Sequence, residues 1–322
     1  MTNADLFNPI HCELTIVEEK LLESIDTELP LLDDATTHLL KAGGKRLRPA
    51  FALLGAKIFS DDIEQVIPMA VALELIHMAT LVHDDVIDNS SVRRGRETVK
   101  SAWGNRVSIY AGNYAFARSL SMVAKYQRSD VVDVLADASM RICEGEIKQM
   151  MSCFDVNQGL KDYLRRIERK TALLISVSCK LGGMLGHASE DEIMALQKYG
   201  YYLGMAFQIT DDILDFVADE SILGKPVGSD IRQGVITLPA IYALQTHPNR
   251  KELAYFLSSA ERSNQYATEI IDIIFDSNGI DYSYAVSCKY VYQAQKQLDK
   301  LPAGPVRECL FTIADFITER EY

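Results

Sequence analysis

The chain has 322 residues, 48% of them hydrophobic and 24% charged, with 33 Lys and Arg against 45 Asp and Glu for a formal charge of −12. That length can bury a sizeable core. The acidic balance disfavours nucleic acid or an anionic membrane face as a partner, since both attract cationic patches, and suits a protein that gathers divalent cations. The six cysteines, Cys12, Cys143, Cys153, Cys179, Cys288 and Cys309, form no CxxC pair, which predicts mostly reduced core residues rather than a zinc site or a disulfide framework.

The first twenty residues lack a basic stretch followed by an apolar run, so no signal peptide is expected. Helical period follows in Ala50 to Phe59 and in Met69 to Val86, the latter apolar almost all round, as in a helix at the centre of a bundle. The most apolar window, Ile67 to Val82, is broken by Glu74 and His77 and is short for a bilayer span, which predicts a soluble, cytoplasmic chain. Val131 to Met151, Leu160 to Leu185 and Ile193 to Phe216 repeat the helical period. Thr246 to Asp281 leaves its helix boundaries open. Asn278-Gly279 lacks alternating flanks and reads as a turn between helices. With no sustained strand pattern and no Ser/Gly-rich linker, the expectation is an all-α, single-domain bundle of about ten or more helices over residues 1–322.

Four Asp-Asp doublets occur. Asp33-Asp34 and Asp61-Asp62 lack an acid one turn later, whereas Asp84-Asp85 is followed by Asp88 and Asp211-Asp212 by Asp215. Residues i and i+4 share a helix face, so each triad directs two or three carboxylates at one spot in otherwise apolar sequence. Such clustering is unfavourable without a cation, and Mg²⁺ prefers oxygen ligands that it shares with substrate phosphates. A solvated helix end explains one such triad equally well; two copies favour a diphosphate held by metal.

The cations are grouped too. Gly43-Gly44-Lys45-Arg46-Leu47-Arg48 sets three of them behind a glycine pair that permits close backbone approach, and Arg binds phosphate oxygens bidentately. Arg93-Arg94-Gly95-Arg96 follows the first triad where its helix should end. Lys170-Thr171 lies in apolar sequence, and Lys225 in a Gly/Pro loop. Each alone reads as a surface cation; with two triads they read as the lining of a site for two diphosphates. His77, seven residues before Asp84, lies on nearly the same helix face, where substrate contact and a packed imidazole are both open. His83 is out of phase and reads as structural.

The segments Gly43–Pro49, His83–Asp88 with Arg93-Arg94-Gly95, Arg169-Lys170-Thr171, Phe207–Asp215 and Gly224–Asp230 resemble, in order and spacing, the polyprenyl synthetase family, from about residue 30 onward; Leu164–Ile167 and Gly224–Leu238 look most like the catalytic component of bacterial heptaprenyl or hexaprenyl diphosphate synthases. The resemblance implies the isoprenoid synthase fold around a central cavity and condensation of isopentenyl diphosphate with an allylic prenyl diphosphate, farnesyl or geranylgeranyl. It implies that Gly44, Lys45, Arg48, His77 and Arg94 bind isopentenyl diphosphate. Asp84, Asp88 and Asp211, supported by Asp85, Asp212 and Asp215, would hold about two or three Mg²⁺ ions on the allylic diphosphate. Arg93, Lys170 and Lys225 would neutralise that diphosphate, and Thr171 and Gln208 would set oxygen dipoles near the allylic cation.

Ala79 and Thr80, both small, lie below the first triad, where short-chain members of the family carry bulky residues. That points to a long product, roughly six to eight isoprene units, unless Ile76, Met122 or Leu135 plugs the cavity lower down. Alternatives are a short-chain synthase, a terpene cyclase, which the second triad disfavours, and a regulatory subunit, which would be expected to have damaged triads. The resemblance also implies a homodimer or a heterodimer with a small regulatory subunit, a membrane role at most in product release, and a quinone side chain, as in menaquinone, as the end use.

Overall fold

The computed structural model describes residues 6–218 and 227–318. Its helices begin with α1 His11–Ile25, α2 Pro30–Lys41, α3 Leu47–Lys57, α4 Ile67–Ile87, α5 Val99–Ala124 and α6 Ser129–Met151. They continue with α7 Leu160–Ile167, α8 Leu173–Leu185, α9 Glu190–Val217, α10 Ser229–Arg232 and α11 Leu238–Thr246. The last are α12 Arg250–Phe256, α13 Ala260–Gln265, α14 Ala267–Asp276, α15 Gly279–Leu298 and α16 Pro305–Thr318. The chain is all-α, as expected, and α12 to α14 fill the stretch whose boundaries the periodicity left open. The turn at Asn278 holds φ 59° between α14 and α15.

The helices fall into two compact units. The first comprises the described residues up to Ala136, with Val177–Gln197 and Leu301–Leu310. Its centre is α4, in which Met69 to Ile76 are all buried. Each fully buried Leu or Val there contributes ~1.5–3 kcal/mol of apolar transfer. This is why the helix Glu64–Ile87, long and apolar enough to cross a membrane at mean hydropathy 1.7, is 72% buried in its apolar window. The apolar stretch is thus longer than the Ile67 to Val82 window. On α8, Gly182 lets α3 approach closely, since a Cβ there would meet the Ala52 carbonyl oxygen at 2.3 Å.

The second unit comprises Asp137–Ser176, Lys198–Lys300 in its described part, and the residues from Phe311 on. Its core joins Tyr163 and Ile167 of α7, Met205, Ile209 and Ile213 of α9, Ile241 of α11, Leu253 of α12 and Ile270 and Ile274 of α14.

Three local features depart from the sequence reading. Leu160 to Leu185 is not one α-helix: Glu168–Ala172 forms a π-helical turn between α7 and α8. A two-residue antiparallel ribbon, β1 Val92–Arg93 with β2 Arg96–Glu97, turns through Arg94 and Gly95 at φ 52° and 72°, the paired positive φ of a primed hairpin turn. Strands this short leave no alternating pattern to read. The cysteines are not mostly core residues: Cys12, Cys143, Cys153 and Cys288 are exposed and Cys179 is buried. Their helical phase, not their spacing, decides this.

Candidate active site

In the first unit, Asp84 and Asp85 occupy the last turn of α4, and Asp88 caps it, its N–H donating to the Asp84 carbonyl. Carboxylates at a helix C-terminus face the negative end of the helix dipole, so this placement needs compensating cations. Arg93 of the ribbon supplies one, its Nε donating to Asp85 Oδ1 at 2.7 Å. Burial raises the Asp85 carboxyl, and Arg93 reverses that only in part. Asp84 is half-buried and Asp88 exposed. His83 packs on α5, where a Cβ on Gly112 would sit 2.5 Å from its Nε2.

Further back on α4, His77 is half-buried beneath four guanidinium groups. Burial, and then Arg48, Arg94, Arg93 and Arg46, hold its imidazole well below the ordinary value, so it is neutral at physiological pH. Arg46 takes φ 49° at the start of α3 and turns inward, donating to Glu18 and to Oε1 of the buried Glu74 at 3.0 Å. Arg94 donates to the Gly43 carbonyl. A Cβ on Gly44 would lie 2.5 Å from Arg94 Nη1, so the glycine keeps that space open. Arg48 is lowered to about 10 by burial, opposed by Glu74, and its Nε has no hydrogen-bond partner among the described residues. Arg46 and Arg93 are thus paired with carboxylates, whereas Arg48 and Arg94 form no ion pair among the described residues. Lys45 is exposed beside them. Ala79 is buried, and the half-buried Thr80 donates its hydroxyl to the His77 carbonyl at 2.7 Å.

In the second unit a chain of hydrogen bonds ties the π turn to the second triad. Thr171 Oγ1 donates to Gln208 Oε1 at 2.6 Å, and Gln208 Nε2 donates to Asp212 Oδ1 at 2.8 Å. Tyr163 donates to the other oxygen of Asp212 at 2.8 Å. Burial, and then Asp230, push the Asp212 carboxyl up to about 7. Asp211 is half-buried. Asp215 is 1% exposed, and its Oδ2 accepts the Asp230 backbone N–H at 3.0 Å at the start of α10. Lys170 donates to Gln149 at 3.3 Å and lies 3.8 Å from Glu146. Lys225 lies outside the described residues.

Sequence reasoning missed Glu74, Tyr163 and Asp230 as members of these clusters. Glu74 left a trace, being a lone acid in an apolar helix; Tyr163 left none, because a tyrosine at helical spacing reads as core.

Among the described residues no three His, Cys, Asp or Glu side chains converge into a metal cage. What α4 offers is a hard carboxylate pair, Asp84 and Asp88, one turn apart. That donor set fits Mg²⁺, which keeps several waters and takes one or two carboxylates plus substrate phosphates, and it does not fit a softer metal held by the protein alone.

The chain is similar to known proteins over nearly its whole length. The family model for polyprenyl synthetase matches residues 29–274. The heptaprenyl diphosphate synthase component 2 of Geobacillus stearothermophilus is 46% identical over 310 residues, 96% of each chain. The crystal structure of heptaprenyl diphosphate synthase from Staphylococcus aureus matches with TM-score 0.91 at 38% identity, over 97% of this chain and 98% of that one. A polyprenyl synthase from Caulobacter crescentus CB15, crystallised with calcium and isoprenyl diphosphate, matches with TM-score 0.93 at 31% identity, over 99% and 98%. The chain therefore belongs to the polyprenyl synthetase family, and with it to the prenyl-transferring enzymes.

Proposed function

We propose that the chain is a long-chain all-trans polyprenyl diphosphate synthase that condenses isopentenyl diphosphate with an allylic diphosphate such as farnesyl diphosphate. The observation that carries this reading is the unbalanced charge at Arg48 and Arg94, which form no ion pair among the described residues of a chain with a net charge of −12. Two cations that form no ion pair among the described residues, beside a neutral His77, make a receptor for a diphosphate that carries no metal of its own. Lys45, Arg48, His77 and Arg94 would hold isopentenyl diphosphate, with Gly44 leaving room for its oxygens.

Asp84, Asp88 and Asp211 would hold Mg²⁺ on the allylic diphosphate, with Asp85, Asp212 and Asp215 behind them. When bound, the metal supplies charge neutralisation of the leaving diphosphate. Arg93, Lys170 and Lys225 add to that neutralisation from the protein side. The allylic C–O bond breaks with its electron pair leaving on diphosphate, and the Thr171 and Gln208 oxygens face the allylic cation that results. The isopentenyl double bond then forms the new C–C bond, and a proton leaves to the departing diphosphate. The reaction requires apolar walls that exclude the water that would quench the cation.

The relative from Geobacillus supports a product of about seven isoprene units, and the small Ala79 and Thr80 leave room for growth past the first triad. The word component in that relative's name supports a second subunit here, either a small regulatory protein or, as the other reading, a second copy of this chain. The compartment proposed is the cytoplasm, and the use of the product a quinone side chain.

The test is incubation of the purified chain with Mg²⁺, labelled isopentenyl diphosphate and farnesyl diphosphate, with product lengths resolved. Chains of about C30 to C40 support a self-sufficient synthase. Mg²⁺-dependent binding of both substrates without product points to a required second subunit. No binding of either overturns the reading.

A further inference from the structure

Glu74 is out of place if its field alone matters. It lies on α4 between the fully buried Leu73 and Leu75, is 2% exposed, and stands one turn before His77 beneath the cluster proposed to receive a diphosphate. A buried carboxylate is strongly unfavourable unless compensated, and its negative field should repel the anion. Yet its Oε1 accepts from Arg46 at 3.0 Å, while its Oε2 is buried without a hydrogen-bond partner among the described residues. The nearby Arg48 Nε is orphaned in the same way. Charge attraction to Glu74 favours the charged forms of Arg46, Arg48 and Arg94 alike.

Arg46 supplies the mechanical link. Its left-handed backbone, at φ 49°, is unfavourable outside glycine and persists only where the surroundings impose it. The surroundings are its side-chain bonds: Glu74 within, Glu18 on the half-exposed side through Nε and through Nη2 at 3.2 Å, and the Leu40 carbonyl at 3.4 Å. Arg46 thereby sets the entry of α3, two residues before Arg48, and the end of the Gly43-Gly44 turn whose carbonyl holds Arg94.

We propose that Glu74 is a positioning residue: through Arg46 it fixes the backbone and the two guanidinium groups, Arg48 and Arg94, that receive the homoallylic diphosphate, without touching that substrate itself. This rests on the functional reading above and adds to it a residue acting from behind the site. The two effects of Glu74 have opposite signs, which makes the proposal decidable. As a mere negative charge, its removal tightens anion binding; as a positioning residue, its removal weakens it.

The experiment is calorimetric titration of the full-length protein with isopentenyl diphosphate in EDTA, where the metal-dependent carboxylates stay silent, for wild type, Glu74→Gln and Glu18→Gln. Steady-state KM values for both substrates with Mg²⁺ accompany it. Glu74→Gln should weaken binding of isopentenyl diphosphate by about tenfold or more and raise its KM in parallel, leaving the KM of the allylic substrate within about twofold. Glu18→Gln, which removes the outer, solvent-accessible clamp on Arg46, should give a smaller loss in the same direction, and it carries the test if the buried variant does not fold. Unchanged or tighter binding in these variants overturns the proposal while wild-type binding keeps the functional reading intact. Equal rises in both KM values also overturn it, since a general structural role moves both substrates together. Absence of isopentenyl diphosphate binding by the wild type sinks the functional reading, and the proposal with it.

Discussion

Replacing Asp212 by Asn should make the metal-free protein more stable at alkaline pH while lowering its activity. The carboxyl is 4% exposed and pushed from 3.8 up to about 7, by burial and then Asp230, against hydrogen bonds from Gln208 and Tyr163 and the charge of Arg166. Because the folded pKa exceeds the unfolded one, folding opposes ionisation. The stabilising contribution is complete below about pH 4 and is lost as pH rises through about 7. At about 1.4 kcal/mol per pH unit the full interval amounts to ~4 kcal/mol above about pH 8. Asn has no charge to desolvate, but its one oxygen cannot serve Tyr163 and Gln208 as the two carboxylate oxygens do, a loss of ~1–3 kcal/mol. The net gain at about pH 8 is therefore ~1–3 kcal/mol, and the variant-minus-wild-type difference should grow by ~2–3 kcal/mol between about pH 5 and pH 8. Urea unfolding in EDTA at several pH values measures it. A difference that stays flat over that range would falsify the reasoning, because it would mean that Asp212 is already ionised at the acid end.

Asp84→Ala should lose activity by ~10²-fold or more, because it removes an oxygen donor proposed for the metal, while circular dichroism and melting temperature stay close to wild type, since the side chain is only half-buried; near-normal turnover would refute its role. Thr80→Tyr should shorten the product, read by mass spectrometry, because the position is small, half-buried and one turn behind Asp84; an unchanged product length would move the floor of the cavity elsewhere. Tyr163→Phe should cost ~1.5–3 kcal/mol in unfolding free energy at about pH 8, as the buried Asp212 carboxylate loses a donor; no change would show that another group satisfies Oδ2. Gly182→Ala should destabilise by ~2–4 kcal/mol, because its Cβ would meet the Ala52 carbonyl and force α8 off α3; a melting temperature equal to wild type would refute that close packing.

Much of the molecule was legible because its signals are local. Helical period identified the all-α class, and the apolar run Met69 to Val86 marked α4 as the buried centre of its unit. The i, i+4 spacing of Asp84 with Asp88 needs only helical geometry to put both carboxylates at one helix end. The Gly-rich basic stretch before Pro49 was legible by composition alone as a group of cations behind a glycine pair. What stayed hidden depends on which remote segments touch. Arg46, Arg48 and Arg94 look alike in sequence, yet Arg46 takes the carboxylate of Glu74, 28 residues away, leaving Arg48 and Arg94 to carry the net charge. Asp212 resembles Asp85 as the second acid of its triad, but it meets Tyr163, 49 residues away, and titrates near neutrality because of burial and Asp230. Helical phase likewise put four cysteines outside that spacing had suggested were core. The amino-acid order by itself determined which charges the chain carries and on which helix face they lie. The tertiary structure decided which charges are cancelled, because ion pairing and desolvation depend on distances between segments that local periodicity does not encode.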